Sequence, residues 1–189
     1  DIPVVSGASR PLLAPPHASA AVHGADGLGN PGLPQPGCQP SGNDAAAFLR
    51  DELMSAAEPI NLIALAPLTN LALLFQTAPE VKSKINRIAL MGGAVEIGNA
   101  TAVAEFNIFH DPEAADIVFT AGVPILMYRL GTVSQRRLDR FKALEVPPPS
   151  LHSSLYYPDA EPSLRTGIKT MSAAALHLLA KEKVRASVI

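Results

Sequence analysis

Short apolar runs set at intervals, with helix-patterned segments between them, constrain this chain more than any other feature. The runs cover residues 2–5, 60–66, 87–91 and 123–128. Each is too short for an ordinary helix and apolar enough to be a strand buried on both faces. Between them the spacing changes. Ala46, Ala47, Leu49, Leu53 and Met54 recur at helical intervals, with Asn43 placed as a cap and Pro59 beyond the end. Pro67-Leu68-Thr69-Asn70 opens a second helix that stops before Pro79. Asp111-Pro112-Glu113 opens a third, with a capping carboxylate, a first-turn proline and a negative charge at the positive end of the dipole. Gly122 suits its stop. Residues 134–144 and 168–183 read as further helices, and the proline-rich stretch 146–162 as turns. Strands alternating with helices predict an α/β fold, a mainly parallel sheet flanked by helices on both faces. Ligands of such folds bind beyond the carboxyl ends of the strands, so the loops after Val5, Ala66, Met91 and Tyr128 are the ones to search.

Composition acts as a filter on function. Apolar residues make up 48% and charged residues 17%, a globular balance rather than a disordered one. The formal net charge of −2 comes without a basic stripe, and six Phe and three Tyr with no Trp supply few stacking platforms. Nucleic acid is therefore not an expected partner. Nor is a membrane, since no apolar run approaches the ~20 residues of a spanning helix. Cys38 is the only cysteine, which rules out a disulfide within the chain and fits a reducing, cytoplasmic setting. The opening Asp1-Ile2-Pro3, without an initiator Met, reads as the start of a chain in mid-domain. The expectation is one incomplete domain over residues 1–189.

The densest polar loop runs from Met91 to Asn107. Gly92-Gly93 lets backbone approach a ligand closely. Asn99, Glu105 and Asn107 then offer amide and carboxylate groups, which match the paired donors and acceptors of sugar hydroxyls. Taken alone, such residues more often face water. Phe106 could face a base or anchor the loop. Met91 is by default a core residue at a strand end, and Thr69 and Asn70 could merely cap a helix. His23, in a glycine-rich turn, is as readily structural as functional. Asp26 could fix that turn or point at a site.

The ordered set of motifs goes further. Pro67-Leu68-Thr69-Asn70-Leu71-Ala72, Met91-Gly92-Gly93-Ala94, Gly98-Asn99 and Glu105-Phe106-Asn107 together resemble the core signature of nucleoside hydrolases of the inosine–uridine-preferring type. Ile2-Pro3-Val4, Gly7-Ala8, His23-Gly24-Ala25-Asp26-Gly27-Leu28-Gly29 and Asp111-Pro112-Glu113-Ala114-Ala115 fit the same family in the same order. The match is good over residues 1–130, whereas 131–189 reads as a divergent helical, proline-rich tail.

The resemblance implies hydrolysis of the N-glycosidic bond of ribonucleosides, dependent on calcium in the complete enzyme. It implies that Thr69 gives its backbone carbonyl to the calcium ion. Met91 would pack beside the ribose, Asn99, Glu105 and Asn107 would bind its hydroxyls, and Phe106 would line the base. His23 would lie near the base, where some members use a histidine to help the leaving group depart. By the same likeness Glu105→Ala should cost turnover more than folding, and a homo-oligomer is expected.

The departures matter too. The family's N-terminal aspartate cluster supplies most calcium ligands and the general base, and the expectation is that this chain starts after it. Its later His-Asp pair is not found after the last helix. His110-Asp111 looks like that pair but falls at the helix start, where Asp111 reads as a cap. The chain alone is thus expected to bind calcium weakly. The rival reading is a truncated or non-catalytic relative that keeps a ribose-binding loop.

Overall fold

The computed structural model describes residues 2–17, 20–34, 36–94, 98–127, 133–148, 158–170 and 172–173. The chain divides into two compact units, Asp1–Arg129 and Leu130–Ile189. The first contains, in order, α1 (Ala20–His23), α2 (Ala45–Ser55), β1 (Ile60–Ala64), α3 (Thr69–Thr77), a 3-10 turn (Pro79–Lys84), β2 (Ile85–Leu90), α4 (Phe106–His110), α5 (Pro112–Phe119) and β3 (Ile125–Met127). The three strands form a parallel sheet in the order β1-β2-β3. The α/β class and the parallel sheet are as the sequence implied.

One face of the sheet makes the core. Leu62 pairs with Ile88, and Ala64 with Leu90; Ile88 in turn pairs with Ile125. Leu53 of α2, Leu74 of α3, Val81 of the 3-10 turn and Val118 of α5 are fully buried in the cluster built on that face. Burying each such side chain contributes about 1.5–3 kcal/mol, and this, more than helix propensity, holds the short helices in place.

Three expectations need correction. Residues 2–5 do not form a strand: Val5 makes an isolated parallel bridge to Gly42, and Ile2 and Val4 are exposed. Pro3 removes a ladder donor from a run only four residues long. β1 is not buried on both faces but alternates. Ile63, Ala89 and Leu126 lie in register across the other face, and Ile63 and Leu126 are exposed. Among the described residues, the helices that build the core therefore cover one face and not both. The stretch between Gly93 and Asp111 is not all loop either, because it contains α4.

Helix starts show what the side chains do. Asp44, one residue beyond the expected Asn43, caps α2 by accepting from Ala47 N–H at 3.0 Å. α3 starts without a side-chain cap, and the residue in the cap position is Leu68. Thr69 and Asn70 are thereby released for other contacts. Asn70 Oδ1 accepts from Ala8 N–H at 2.8 Å. A Cβ at Gly7 would lie 2.4 Å from Asn70 Nδ2, so any larger residue there would have to displace the Asn70 amide. The N-terminal segment is tied to α3 in this way.

In the second unit, α6 (Gln135–Ala143) begins after Ser134, as expected. Ser134 N–H donates to Asp159 at 2.6 Å, and Arg137 pairs with the same carboxylate at 2.9 Å. Residues 160–170 are helical, so the last residues assigned to turns belong to a helix. Most of the helix expected over 168–183 lies outside the described residues.

Candidate functional site

The site is organised by α4, a helix of five residues. So short a helix cannot hold itself, and Glu105 supplies the missing stabilisation. Its Oε2 accepts from the N–H groups of Gly93 (3.1 Å), Asn107 (3.0 Å) and Ile108 (3.4 Å). Glu105 is thus the N-cap of α4 and the clasp between α4 and the end of β2, and it is 2% exposed. Gly93 can present its N–H because it sits at φ +74°, a backbone that favours glycine. Asn99 Oδ1 accepts from Phe106 N–H at 2.8 Å and closes the loop from the solvent side.

Asn107 reaches back to the sheet. Its Nδ2 donates to Met91 O at 2.9 Å, lies 3.2 Å from Met91 Sδ, and has a longer contact of 3.5 Å to Leu65 O. Leu65 follows β1 and Met91 follows β2, so a buried amide lies across the carboxyl ends of both strands. This is where a ligand of a parallel α/β sheet is expected. Met91, far from being a core residue, is 38% exposed there. Phe106 packs against His110 with ring centres 5.4 Å apart, and Phe109 stacks on His17 at 4.8 Å.

Thr69 joins the same neighbourhood through Asp111. Its hydroxyl donates to Asp111 Oδ2 at 2.6 Å, in a fully buried contact. Asp111 also accepts from Leu12 N–H at Oδ2 and from Ala114 N–H at Oδ1. The cap expected at this residue is present, but it is one of three bonds.

His23 is the last residue of α1, and a glycine-rich turn follows it. Its carbonyl accepts from Gly29 N–H, and Asp26 and Asn30 receive the neighbouring backbone N–H groups. The Leu28 and Asn30 N–H groups hold the Asp26 carboxyl below its ordinary value, so Asp26 acts here as the organiser of a turn.

Calcium takes six to eight oxygen ligands. Among the described residues no three His, Cys, Asp or Glu side chains stand close enough to hold a metal ion. Asp111, the carboxylate nearest in sequence logic to Thr69, has both oxygens engaged by N–H and O–H donors.

Sequence reasoning missed the second roles of Glu105, Asn70 and Asp111. Glutamate is not a favoured N-cap, so nothing marked Glu105 as one. The contacts of Asn70 and Asp111 span 62, 42 and 99 residues and leave no local pattern.

Comparison with known proteins gives these contacts a context. The profile of the inosine-uridine preferring nucleoside hydrolase family matches residues 1–182, continuing past the point where the motifs thin out. The chain is 43% identical over 152 residues to the pyrimidine-specific ribonucleoside hydrolase RihA of Escherichia coli O7:K1 (strain IAI39 / ExPEC), covering 78% of this chain and 49% of that protein. It therefore spans about half the length of the curated relatives it matches. Among solved structures it resembles the plant nucleoside hydrolase PpNRh1, with 38% identity and a TM-score of 0.63 over 67% of this chain and 41% of the other. It also resembles the purine-preferring ribonucleoside hydrolase from Gardnerella vaginalis, with 33% identity and a TM-score of 0.54 over 67% and 42%. With a family profile matched over nearly its whole length and a parallel α/β fold shared with solved members, this chain belongs to the inosine-uridine preferring nucleoside hydrolase family.

Proposed function

We propose that this chain supplies the sugar-binding side of a site that hydrolyses ribonucleosides to free base and ribose. The observation that carries the reading is the buried Glu105–Asn107 pair, fixed by α4 at the carboxyl ends of β1 and β2. Asn107 has its Nδ2 engaged by Met91, which leaves Oδ1 to accept from a sugar hydroxyl. Glu105 has Oε2 engaged by backbone, which leaves Oε1 for a second hydroxyl. Met91 lies against the sugar, Asn99 adds its amide at the rim, and Phe106 lines the base.

The chemistry follows from the charge that develops. As the bond between the anomeric carbon and the base nitrogen breaks, its electron pair leaves with the base and the sugar becomes oxocarbenium-like. A carboxylate held beside the ribose stabilises that positive charge more than it stabilises the neutral substrate, which is the condition for lowering a barrier. Water then adds to the anomeric carbon and loses a proton, and the base gains one. His23 is the candidate for helping the base depart. When bound, calcium would position the sugar diol and the water. Thr69 is this chain's candidate ligand through its carbonyl. No described residue is assigned to activating the water.

A relative that binds ribose without hydrolysis is the second reading, favoured by the absence of a three-residue ligand cluster among the described residues. The full-length protein should be assayed with inosine, uridine and their 2′-deoxy forms, with and without chelator. Chelator-sensitive release of base, weaker from the deoxy forms, supports the hydrolase. Ribose binding without release supports the second reading, and neither binding nor release overturns both. The exposed thiol of Cys38 agrees with a cytoplasmic setting, and a homo-oligomer is expected from the family alone.

A further inference from the structure

The geometry points to Asp111 as the positioning residue of this site, the anchor that keeps α4 where Asn107 can meet the sugar. The inference rests on the reading that Glu105 and Asn107 hold the ribose.

Asp111 is fully buried and stands at the junction of two helices, ending α4 and capping α5. Pro112 prevents α4 from running on, because the residue before a proline is driven out of the helical region; Asp111 sits at φ −144°, ψ 77°. Capping α5 needs one oxygen, Oδ1, which receives Ala114 N–H at 3.1 Å. The other oxygen does something a cap does not require. It receives the Thr69 hydroxyl from α3 at 2.6 Å and Leu12 N–H from the N-terminal segment at 3.0 Å.

α4 is thereby held at both ends. Its beginning is fixed to the end of β2 by Glu105–Gly93 and Asn107–Met91. Its far end is fixed to the start of α3 by Asp111–Thr69. α3 follows β1 directly, so the two anchors tie α4 to two neighbouring strands. Without the second, α4 is free to pivot about the first, and the long Asn107–Leu65 contact of 3.5 Å has least to resist with. Misplacing a substrate-orienting group by ~1 Å costs about a hundredfold in rate.

The test uses the full-length protein with three substitutions. Asp111→Asn keeps the shape and removes the charge and one acceptor. Thr69→Val keeps the shape and removes only the hydroxyl. Asp44→Ala removes a capping carboxylate of the same kind from α2, a bond that involves none of Glu105, Asn107, Asp111 and Thr69. Turnover of inosine and uridine is measured beside Tm, and the Asn107 side-chain amide is followed by 1H–15N NMR, assigned by its loss in Asn107→Asp. Asp111→Asn and Thr69→Val should each lower kcat by roughly tenfold to a hundredfold and shift the Asn107 amide signals. Asp44→Ala should lower Tm and leave both unmoved. Folded Asp111→Asn and Thr69→Val proteins with the Asn107 amide at its wild-type position would overturn the inference. So would Asp44→Ala that depresses kcat as far. If Asp111→Asn does not fold, Thr69→Val decides. If the wild-type protein releases no base, the hydrolase reading fails alone, and the amide shifts still decide the role of Asp111.

Discussion

Replacing Glu105 by alanine should damage folding at least as much as catalysis, contrary to what the family likeness alone suggests. Glu105 is 2% exposed and its Oε2 receives three backbone N–H groups, two of them from α4 and one from Gly93. Alanine removes an acceptor that all three share. Loss of an N-cap costs about 1 kcal/mol, and each buried donor left without a partner costs ~1–3 kcal/mol. Partial access to water lowers the sum, so a loss of roughly 3 kcal/mol is expected, from a total of about 5–15 kcal/mol in a typical domain. Glu105→Gln keeps one acceptor oxygen and forfeits the charge, and should cost about 1 kcal/mol, the difference between charge-assisted and neutral bonds. Urea unfolding of the full-length protein followed by circular dichroism separates these values. At saturating ribonucleoside, Glu105→Gln should lose tenfold or more in kcat while remaining folded. Glu105→Ala within about 0.5 kcal/mol of wild type would refute the claim that this carboxylate holds α4.

Asn107→Ala should lower kcat by roughly tenfold to a hundredfold, the value of one hydrogen bond acting in the transition state, and normal turnover at saturating substrate would contradict its placement. Calorimetric titration of the 189-residue chain should show weak calcium binding at most, because Thr69 brings one carbonyl and the described residues no carboxylate cluster; tight, stoichiometric binding would reveal ligands not recognised in the sequence. The Asp159 carboxyl is held below its ordinary value of 3.8, first by the Ser134 N–H, then by the Ser134 hydroxyl, with the Arg137 charge adding to both against burial. A depressed carboxylate stabilises above its unfolded value and loses that contribution as pH falls through the folded one. Carboxyl 13C titration should therefore place Asp159 below the ordinary aspartate value of 3.8, and Arg137→Ala should leave most of the depression in place.

The parts of the fold that sequence reveals are those written in local period. The runs at 60–66, 87–91 and 123–128 correspond to strands at 60–64, 85–90 and 125–127, with Tyr128 outside the described residues, and the Asp111-Pro112-Glu113 start became the cap of α5. What failed at residues 2–5 was the assumption that any apolar run finds a neighbouring strand. α4 was illegible because its cap is a glutamate and its length is less than two turns. At the site, the hydrogen-bonding capacity of Asn107 and Glu105 could be read from residue type, but their geometry could not. Contacts such as Leu12–Asp111 join residues 99 apart and exist only once the sheet has formed.

Glu105 has a further consequence, for how such a protein can change over evolutionary time. One carboxylate shapes the loop and, on the function proposed above, also meets the sugar, so drift at that position would be opposed twice, by loss of fold and by loss of ligand. Variation is more readily accepted at Phe106, whose backbone N–H is bonded to Asn99 but whose ring meets its surroundings by packing.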